Sequence, residues 1–131
     1  MAPRASLAVA LAMIALPALP DEASDTSSSD AAALRDLHQE IVQLIGEPRC
    51  ANLVHCRLLP LGSRPCGGAA EYLPYSSITA NREVLEAKAY EYGFLQEELQ
   101  RSNGSVGTCE VLPEPRVACI DGRCRAGTER P

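Results

Sequence analysis

The sequence predicts an α+β domain in which two helices pack on a small antiparallel β-sheet with a C-terminal hairpin, stapled by disulfide bonds. Three observations predict this class: two segments with apolar residues three and four positions apart, a hairpin turn signal near the C-terminus, and six cysteines in a chain of 131 residues. A chain of this length forms one domain. It is too short for a TIM barrel or a full doubly wound nucleotide-binding fold.

The N-terminal residues have the pattern of a secretory signal. Arg4 is followed by an apolar run from Leu7 to Leu16 and then by two prolines. A positive residue, about ten apolar residues and small residues after them are typical of such signals, and a membrane-spanning helix needs about 20. We therefore expect residues 1–18 to be a signal peptide, with its end between residues 18 and 23. Residues 19–29, acidic and Ser-rich, are expected to form a flexible leader.

The folded domain is predicted to span residues 30–125, followed by a disordered tail at 126–131. Its first helix is expected to begin at Ala31, since a preceding Ser or Asp side chain accepts hydrogen bonds from backbone N–H groups at a helix start. Gly46 and Pro48 end it. Its apolar stripe consists of Leu34, Leu37, Ile41, Leu44 and Ile45.

A second helix is predicted from Asn81 to about Ser102, ended by Asn103-Gly104. Gly93 lies in its interior, where glycine costs about 1 kcal/mol relative to alanine. Such a residue either allows another element to approach closely or is simply tolerated. The apolar face consists of Leu85, Ala89, Tyr92, Leu95 and Leu99.

Short strands account for the remainder of the predicted domain. Asp121-Gly122 is typical of a two-residue hairpin turn, because both central residues of that turn need positive φ. In the resulting register Cys119 faces Cys124. The expected strands are Leu53 to Leu61, Cys109 to Leu112 and Arg116 to Ile120.

The six cysteines are expected to form three disulfides, because an even number of cysteines in a small exported chain is typical of a disulfide framework. Three precede the second helix and three follow it, so at least one bridge must join the two halves. All fifteen pairings of six cysteines remain open. The hairpin register favours a local bridge, since it places its two cysteines in a non-hydrogen-bonded pair. The expected pairs are Cys50–Cys56, Cys66–Cys109 and Cys119–Cys124.

Metal binding and thiol catalysis fit the cysteine spacing less well. Zinc sites favour Cys-x2-4-Cys pairs with histidine partners, and no such pair lies upstream of the second helix. His55 adjoins Cys56, but neighbouring residues on a strand point to opposite faces. Thiol–disulfide catalysts favour Cys-x-x-Cys, which is absent. We expect no metal and no cofactor.

The sequence also offers little support for catalysis or nucleic-acid binding. Only His38 and His55 could act as near-neutral bases, and no nucleophile elbow, His-Glu-x-x-His motif or phosphate-binding loop occurs. The net charge of −5 argues against a nucleic-acid binder, which needs clustered Lys and Arg. We expect that the protein is not an enzyme, with a small hydrolase or redox enzyme as the weakest hypothesis.

Four motifs carry a family resemblance over about residues 40 to 125. They are Cys50-x5-Cys56, Pro65-Cys66-Gly67-Gly68, Tyr72-Leu73-Pro74-Tyr75-Ser76 and Cys109…Cys119-x4-Cys124. In these motifs the chain resembles an uncharacterised family of small exported Cys-rich proteins of Gram-negative bacteria. Ala69 departs from the pattern, where that family has Pro. The resemblance implies a periplasmic or secreted location and supplies no activity.

These observations lead us to expect a non-catalytic protein-binding module of the cell envelope. Its partner would be another envelope or secreted protein, with no nucleic acid and no membrane span after signal cleavage; the oligomeric state is not indicated. The alternative is an inhibitor of an extracellular hydrolase, since loops made rigid by disulfides reduce the entropic cost of binding. The candidate binding loop and its aromatic neighbours are Gly62, Arg64, Cys66, Gly67, Gly68, Tyr72 and Tyr75.

Overall fold

The computed structural model describes residues 14–18 and 22–127 and confirms the disulfide-stapled α+β class. Two helices pack against each other and against one two-stranded antiparallel sheet, and a second two-stranded antiparallel sheet, the C-terminal hairpin, packs against the first sheet. A short 3₁₀ turn, Leu53–His55, precedes the first strand. The elements in chain order are α1 Glu22–Ile45, β1 Cys56–Leu61, β2 Glu71–Ser76, α2 Arg82–Ser102, β3 Arg116–Ile120 and β4 Arg123–Gly127.

The main hydrophobic core lies between the two helices and the β1–β2 sheet. The predicted stripe of α1 supplies three buried residues to it, whereas Leu44 from the same stripe remains 39 % exposed. The predicted face of α2 supplies two, and the sheet supplies the rest. The buried members are Leu37, Ile41, Ile45, Leu59, Leu61, Tyr75, Leu85 and Tyr92.

Helix α1 begins at Glu22 instead of Ala31, so the flexible leader predicted over residues 19–29 is helical from residue 22 onward. Ser29 donates a hydrogen bond from Oγ to the carbonyl of Thr26 at 2.7 Å, a local bond that is compatible with a helix. Ser27 donates from Oγ to Oδ1 of Asn103 at 3.1 Å, which ties this first part of the helix to the end of α2. The prediction was wrong because contacts with α2 add to the weak intrinsic helix propensity of Ser and Asp.

Helix α2 begins as predicted, with Asn81 at its N-cap. The Asn81 side chain accepts a hydrogen bond from the backbone N–H of Val84 at 3.2 Å. A Cβ placed on Gly93 would meet no atom within 4 Å. Gly93 is therefore tolerated in the helix rather than required by a close neighbour.

The β1–β2 ladder contains two prolines at positions that a ladder accepts. Ser77 N–H donates to the carbonyl of His55 at 2.8 Å, which sets the phase of the hydrogen bonds along the pair. With Leu58 opposite Pro74 and Pro60 opposite Tyr72, both prolines fall at positions whose N–H would point away from the partner strand. Proline is confined to such positions because it has no N–H to donate.

The C-terminal hairpin has the predicted turn and register. Asp121 and Gly122 have φ of 52° and 72°, and Cys119 lies opposite Cys124. Residues 48–50 add to the outer edge of β4: Cys50 N–H donates to the Gly122 carbonyl at 2.9 Å, and Cys124 N–H to the Pro48 carbonyl at 2.8 Å. This short addition brings the first half of the chain against the hairpin.

Two predicted strands differ from the structure. The first begins at Cys56 rather than Leu53, because the preceding residues form the 3₁₀ turn. Cys109 to Leu112 forms no strand, since no neighbouring strand edge pairs with it and a side-chain contact and a disulfide hold it instead.

The ends of the chain are described only in part. Strand β4 extends through Gly127, so the tail predicted from residue 126 is a strand at its first two residues, and the remainder lies outside the described residues. Most of the predicted signal peptide, residues 1–13, lies outside them too. Residues 14–18 have no regular secondary structure. Across the described residues, neither helix combines the length and the apolar character that crossing a bilayer requires.

Candidate functional site

All three disulfides join the first half of the chain to the second. The Cα–Cα distances are 6.0 Å for Cys50–Cys119, 5.3 Å for Cys56–Cys124 and 5.0 Å for Cys66–Cys109. The structure therefore contains the predicted Cys66–Cys109 bridge. The predicted local bridges Cys50–Cys56 and Cys119–Cys124 were wrong.

The error in pairing has a physical cause in the way the hairpin packs. Cys119 and Cys124 point to one face of the β3–β4 hairpin, as the register required. That face packs against the segment carrying Cys50 and Cys56, which the backbone bonds of residues 48–50 hold in place. Each hairpin cysteine therefore has a partner directly across the interface, and this packing is not encoded in sequence spacing.

The two neighbouring bridges form a small sulfur cluster. The Sγ atoms of Cys50, Cys56 and Cys124 all lie within 4.8 Å of one another, and the three residues are buried. Val117 and Cys119 pack against them. This second core, made mainly of sulfur, holds the hairpin to the start of β1.

The predicted binding loop, residues 62–68, is held against the end of α2 and the segment that follows it. Ser63 N–H donates to Oε1 of Gln96 at 2.6 Å, and Gln100 Nε2 donates to the Ser63 carbonyl at 2.9 Å. Arg64 donates from Nη1 to the Glu110 carbonyl at 2.7 Å. The loop is thus rigid at its base. Its exposed residues are Pro65, Cys66, Gly67 and Gly68.

The two aromatic residues proposed with that loop have different environments. Tyr75 is only 3 % exposed and belongs to the main core, so it is not a binding residue. Tyr72 is half-buried on β2. Gly62 has φ of 75°, and a Cβ there would lie 3.0 Å from Cβ of Ala70. Gly62 and Tyr72 therefore lie at or beside the base of the loop, Tyr75 lies in the core, and none of the three forms an exposed binding surface.

Sequence reasoning missed a groove of about 870 Å³ between the start of β1 and the start of β3. Leu53 and Val54 border it with 56 % and 70 % of their surfaces exposed. It also carries two arginines and one glutamate. The lining residues are Leu53, Val54, Cys56, Arg57, Leu58, Glu114, Pro115, Arg116 and Val117.

Both strands that border this groove present an unpaired edge to it. The bond from Ser77 to the His55 carbonyl makes odd-numbered residues of β1 the ones bonded to β2, so Leu58 directs its N–H and C=O outward. The bond from Cys124 to Pro48 likewise makes Cys119–Cys124 a non-hydrogen-bonded pair. Val117, two residues earlier, therefore directs its N–H and C=O away from β4.

The two histidines have structural partners. His38 Nε2 lies 2.7 Å from Oε1 of Glu71, and its ring centroid lies 5.8 Å from that of Tyr92. Burial of Tyr92, with a smaller effect from the Glu71 charge, raises the pKa of its phenol. His55 Nδ1 accepts a hydrogen bond from Ala51 N–H at 3.1 Å, which closes the turn before β1.

The described residues around His38 include no serine, cysteine or threonine that could form a nucleophile–base pair with it. A small cavity of about 220 Å³ adjoins it, lined in addition by Leu34, Arg35, Gln39 and Tyr92. A histidine held by a carboxylate can act as a base, but it requires a nucleophile within hydrogen-bond reach. None of these lining residues is a serine, cysteine or threonine.

Comparisons with protein-family models, with curated proteins and with solved structures return no match to this chain.

Proposed function

We propose that the protein is an exported, non-catalytic binding module that holds an extended segment of another exported protein in the groove between β1 and β3. The observation that carries this proposal is the presence of two unpaired strand edges on one groove. An extended peptide can bond to such an edge through its main chain, while pockets beside the edge select its side chains. Leu58 and Val117 supply the edge positions here.

The chemistry of the groove favours a segment with apolar residues and a carboxylate. Leu53 and Val54 offer exposed apolar surface beside the edges. Arg116 forms no ion pair among the described residues, and Arg57 bonds only to backbone carbonyls, those of Val54 and Cys56 at 2.8 Å. A carboxylate on the bound segment would find charge-assisted donors at these arginines.

The bridges support binding by keeping the groove in shape before a partner arrives. Cys56 begins β1 and is bonded to Cys124, while Cys119 of β3 is bonded to Cys50. The two edges are therefore covalently held on either side of the groove. A preformed site loses less conformational entropy on binding than a mobile one. Three disulfides also fit a location outside the cytoplasm, because disulfides persist in oxidising compartments.

The alternative function, inhibition of an extracellular hydrolase, draws support from the loop at residues 62–68. Its tip, Pro65 to Gly68, is exposed and tethered by the Cys66–Cys109 bridge. Arg64 is the charged residue of the loop that a hydrolase could bind, but its side chain donates to the Glu110 carbonyl instead. The groove is therefore the better-supported binding surface.

Affinity measurements with selected peptides test the proposal. Peptides would be selected from a random phage-displayed library on the oxidised protein, and their Kd values measured by fluorescence anisotropy. Val54→Glu and Arg116→Glu should each weaken binding about tenfold or more, which corresponds to about 1.4 kcal/mol. Val106→Glu, at a 96 % exposed valine outside the groove, is the matched control and should bind as the wild type does.

The same panel separates the two functions. If the peptide Kd is unchanged in Val54→Glu and Arg116→Glu but binding is lost in Arg64→Glu, the groove proposal is overturned and the loop is favoured as the binding surface. Failure to select any peptide that competes for the groove would also contradict it.

A further inference from the structure

The sulfur cluster places two disulfides close enough to exchange partners. Cys50 belongs to one bridge, and Cys56 and Cys124 form the other, yet all three Sγ atoms lie within 4.8 Å of one another. Thiol–disulfide exchange requires a thiolate to reach a sulfur of a neighbouring disulfide. Little movement of Cys50 would therefore be needed once its own bridge opens.

Backbone hydrogen bonds keep the cysteines of the cluster near one another even when a bridge is open. Cys50 N–H donates to the Gly122 carbonyl, and Cys124 N–H donates to the Pro48 carbonyl. These bonds join the segment before β1 to the turn and the outer edge of the hairpin. A thiolate released at Cys50 would consequently stay close to the sulfur atoms of the Cys56–Cys124 bridge.

Cys119 is the most exposed cysteine of the two bridges. Cys119 is half-buried, whereas Cys50, Cys56 and Cys124 are 9 %, 2 % and 2 % exposed. Because exchange rates depend on access to the attacked sulfur, a thiol from solvent would react at Cys119.

We propose that Cys119 is the entry site for a small monothiol that catalyses a partner exchange within the cluster. The incoming thiolate bonds to Cys119 Sγ and breaks the Cys50–Cys119 bond, and Cys50 leaves as a thiolate. Cys50 then bonds to Cys56 and displaces Cys124 as a thiolate. Cys124 finally bonds to Cys119 and expels the small thiolate. No sulfur is oxidised or reduced overall, and the products are Cys50–Cys56 and Cys119–Cys124.

The second product is compatible with the hairpin. Cys119 and Cys124 are directly opposite in a non-hydrogen-bonded pair, whose typical Cα separation of about 4.5 Å lies at the lower end of the range that a disulfide tolerates. The exchanged bridges are both local. The exchange therefore removes both covalent links between the start of β1 and the hairpin, without leaving a free thiol.

Peptide mapping of the intact oxidised protein tests this inference. The protein would be incubated without denaturant with substoichiometric reduced glutathione, quenched by acid, alkylated and digested with trypsin. Cleavage after Arg49, Arg57, Arg116, Arg123 and Arg125 separates the cluster into three peptides, residues 50–57, 117–123 and 124–125. The pairing in the structure keeps all three linked, whereas the exchanged pairing releases residues 50–57 with an internal disulfide.

The inference predicts that glutathione releases peptide 50–57, with release at least about tenfold faster than any linkage of Cys66 or Cys109 to the cluster, because only the cluster sulfurs are adjacent. A mixed disulfide with glutathione trapped at Cys119 by early quenching would support the entry site. Absence of peptide 50–57, equal scrambling with Cys66 or Cys109, or a first mixed disulfide at another cluster cysteine would overturn it. The Cys66→Ala/Cys109→Ala variant, which leaves the cluster intact, should exchange as the wild type does.

Discussion

Cys119 and Cys124 lie directly opposite each other on the C-terminal hairpin, yet each is bonded to a cysteine of the first half of the chain. The hairpin is consequently fastened to the start of β1 by two adjacent bridges. The third bridge, Cys66–Cys109, fastens the loop before β2 to the segment after α2. All three disulfides therefore join segments that are distant in sequence.

Loss of the second of the two adjacent bridges should cost slightly more stability than loss of the first. With either one present, the other closes a ring of only about 13 residues, so its removal should cost about 3 kcal/mol in the chain-entropy treatment. When both are removed, only Cys66–Cys109 still joins the two parts of the chain. The second bridge lost had closed a ring of about 28 residues, so the total cost should be about 6–7 kcal/mol. Urea unfolding of Cys50→Ala/Cys119→Ala, of Cys56→Ala/Cys124→Ala and of the fourfold variant measures this difference. A fourfold variant as stable as either variant that lacks one bridge would contradict this arrangement.

The contact between the helices and the β1–β2 sheet depends on a few fully buried side chains. Leu85 is 1 % exposed, so Leu85→Ala should lower the free energy of unfolding by about 2–5 kcal/mol through lost burial and a residual cavity. Val84, its neighbour on α2, is 41 % exposed, and Val84→Ala is the matched control, with an expected change within about 0.5 kcal/mol. Equal losses from the two substitutions in chemical denaturation would show that the core lies elsewhere.

Two glycines should respond to alanine in opposite directions. At Gly93 nothing lies within 4 Å of an added Cβ, so Gly93→Ala should stabilise the helix by about 0.5–1 kcal/mol. At Gly62 the backbone has φ of 75° and the added Cβ would press on Ala70 and Gln96, so Gly62→Ala should destabilise by about 1 kcal/mol or more. Thermal unfolding of the two variants checks the signs. A Gly93→Ala protein that melts lower than the wild type would mean that α2 needs its glycine.

Burial of Tyr92 predicts a loss of stability at alkaline pH. Its pKa is raised above the ordinary value of about 10 in the folded state, first by burial and then by the Glu71 charge. The stabilisation that corresponds to this shift is fully present below the unfolded-state pKa and is lost as pH rises through the folded-state pKa. The wild type should therefore lose unfolding free energy relative to Tyr92→Phe as the pH rises above about 10. A difference that stays constant as the pH rises through this range, measured by urea unfolding, would contradict this prediction.

Local patterns in the sequence were sufficient to predict the buried faces of the two helices and the turn of the hairpin. Apolar spacing located the buried faces of α1 and α2, and Asp121-Gly122 gave the turn and register of β3 and β4. These features depend on residues close together in the chain, where spacing and turn chemistry are decisive. The early start of α1 escaped prediction because a contact with Asn103, distant in sequence, supports it.

The candidate site could not be predicted from the sequence because it depends on how separate segments meet. The groove exists because the unpaired edge of β1 lies beside that of β3, and no local signal indicates that β1 pairs only with β2. The cross-pairing of the cysteines has the same origin, since residues 48–50 add to β4. Only Cys66–Cys109, which encloses α2, matched the expected pairing.

The most direct test of the central claim, that covalent links between the two halves stand in for a large core, is the intact mass of the native protein after alkylation. Without reductant the native protein should accept no alkyl group and should be six hydrogens lighter than the reduced chain, two for each bridge. After reduction it should accept six alkyl groups. Two or more alkylated cysteines in the unreduced protein would contradict the account.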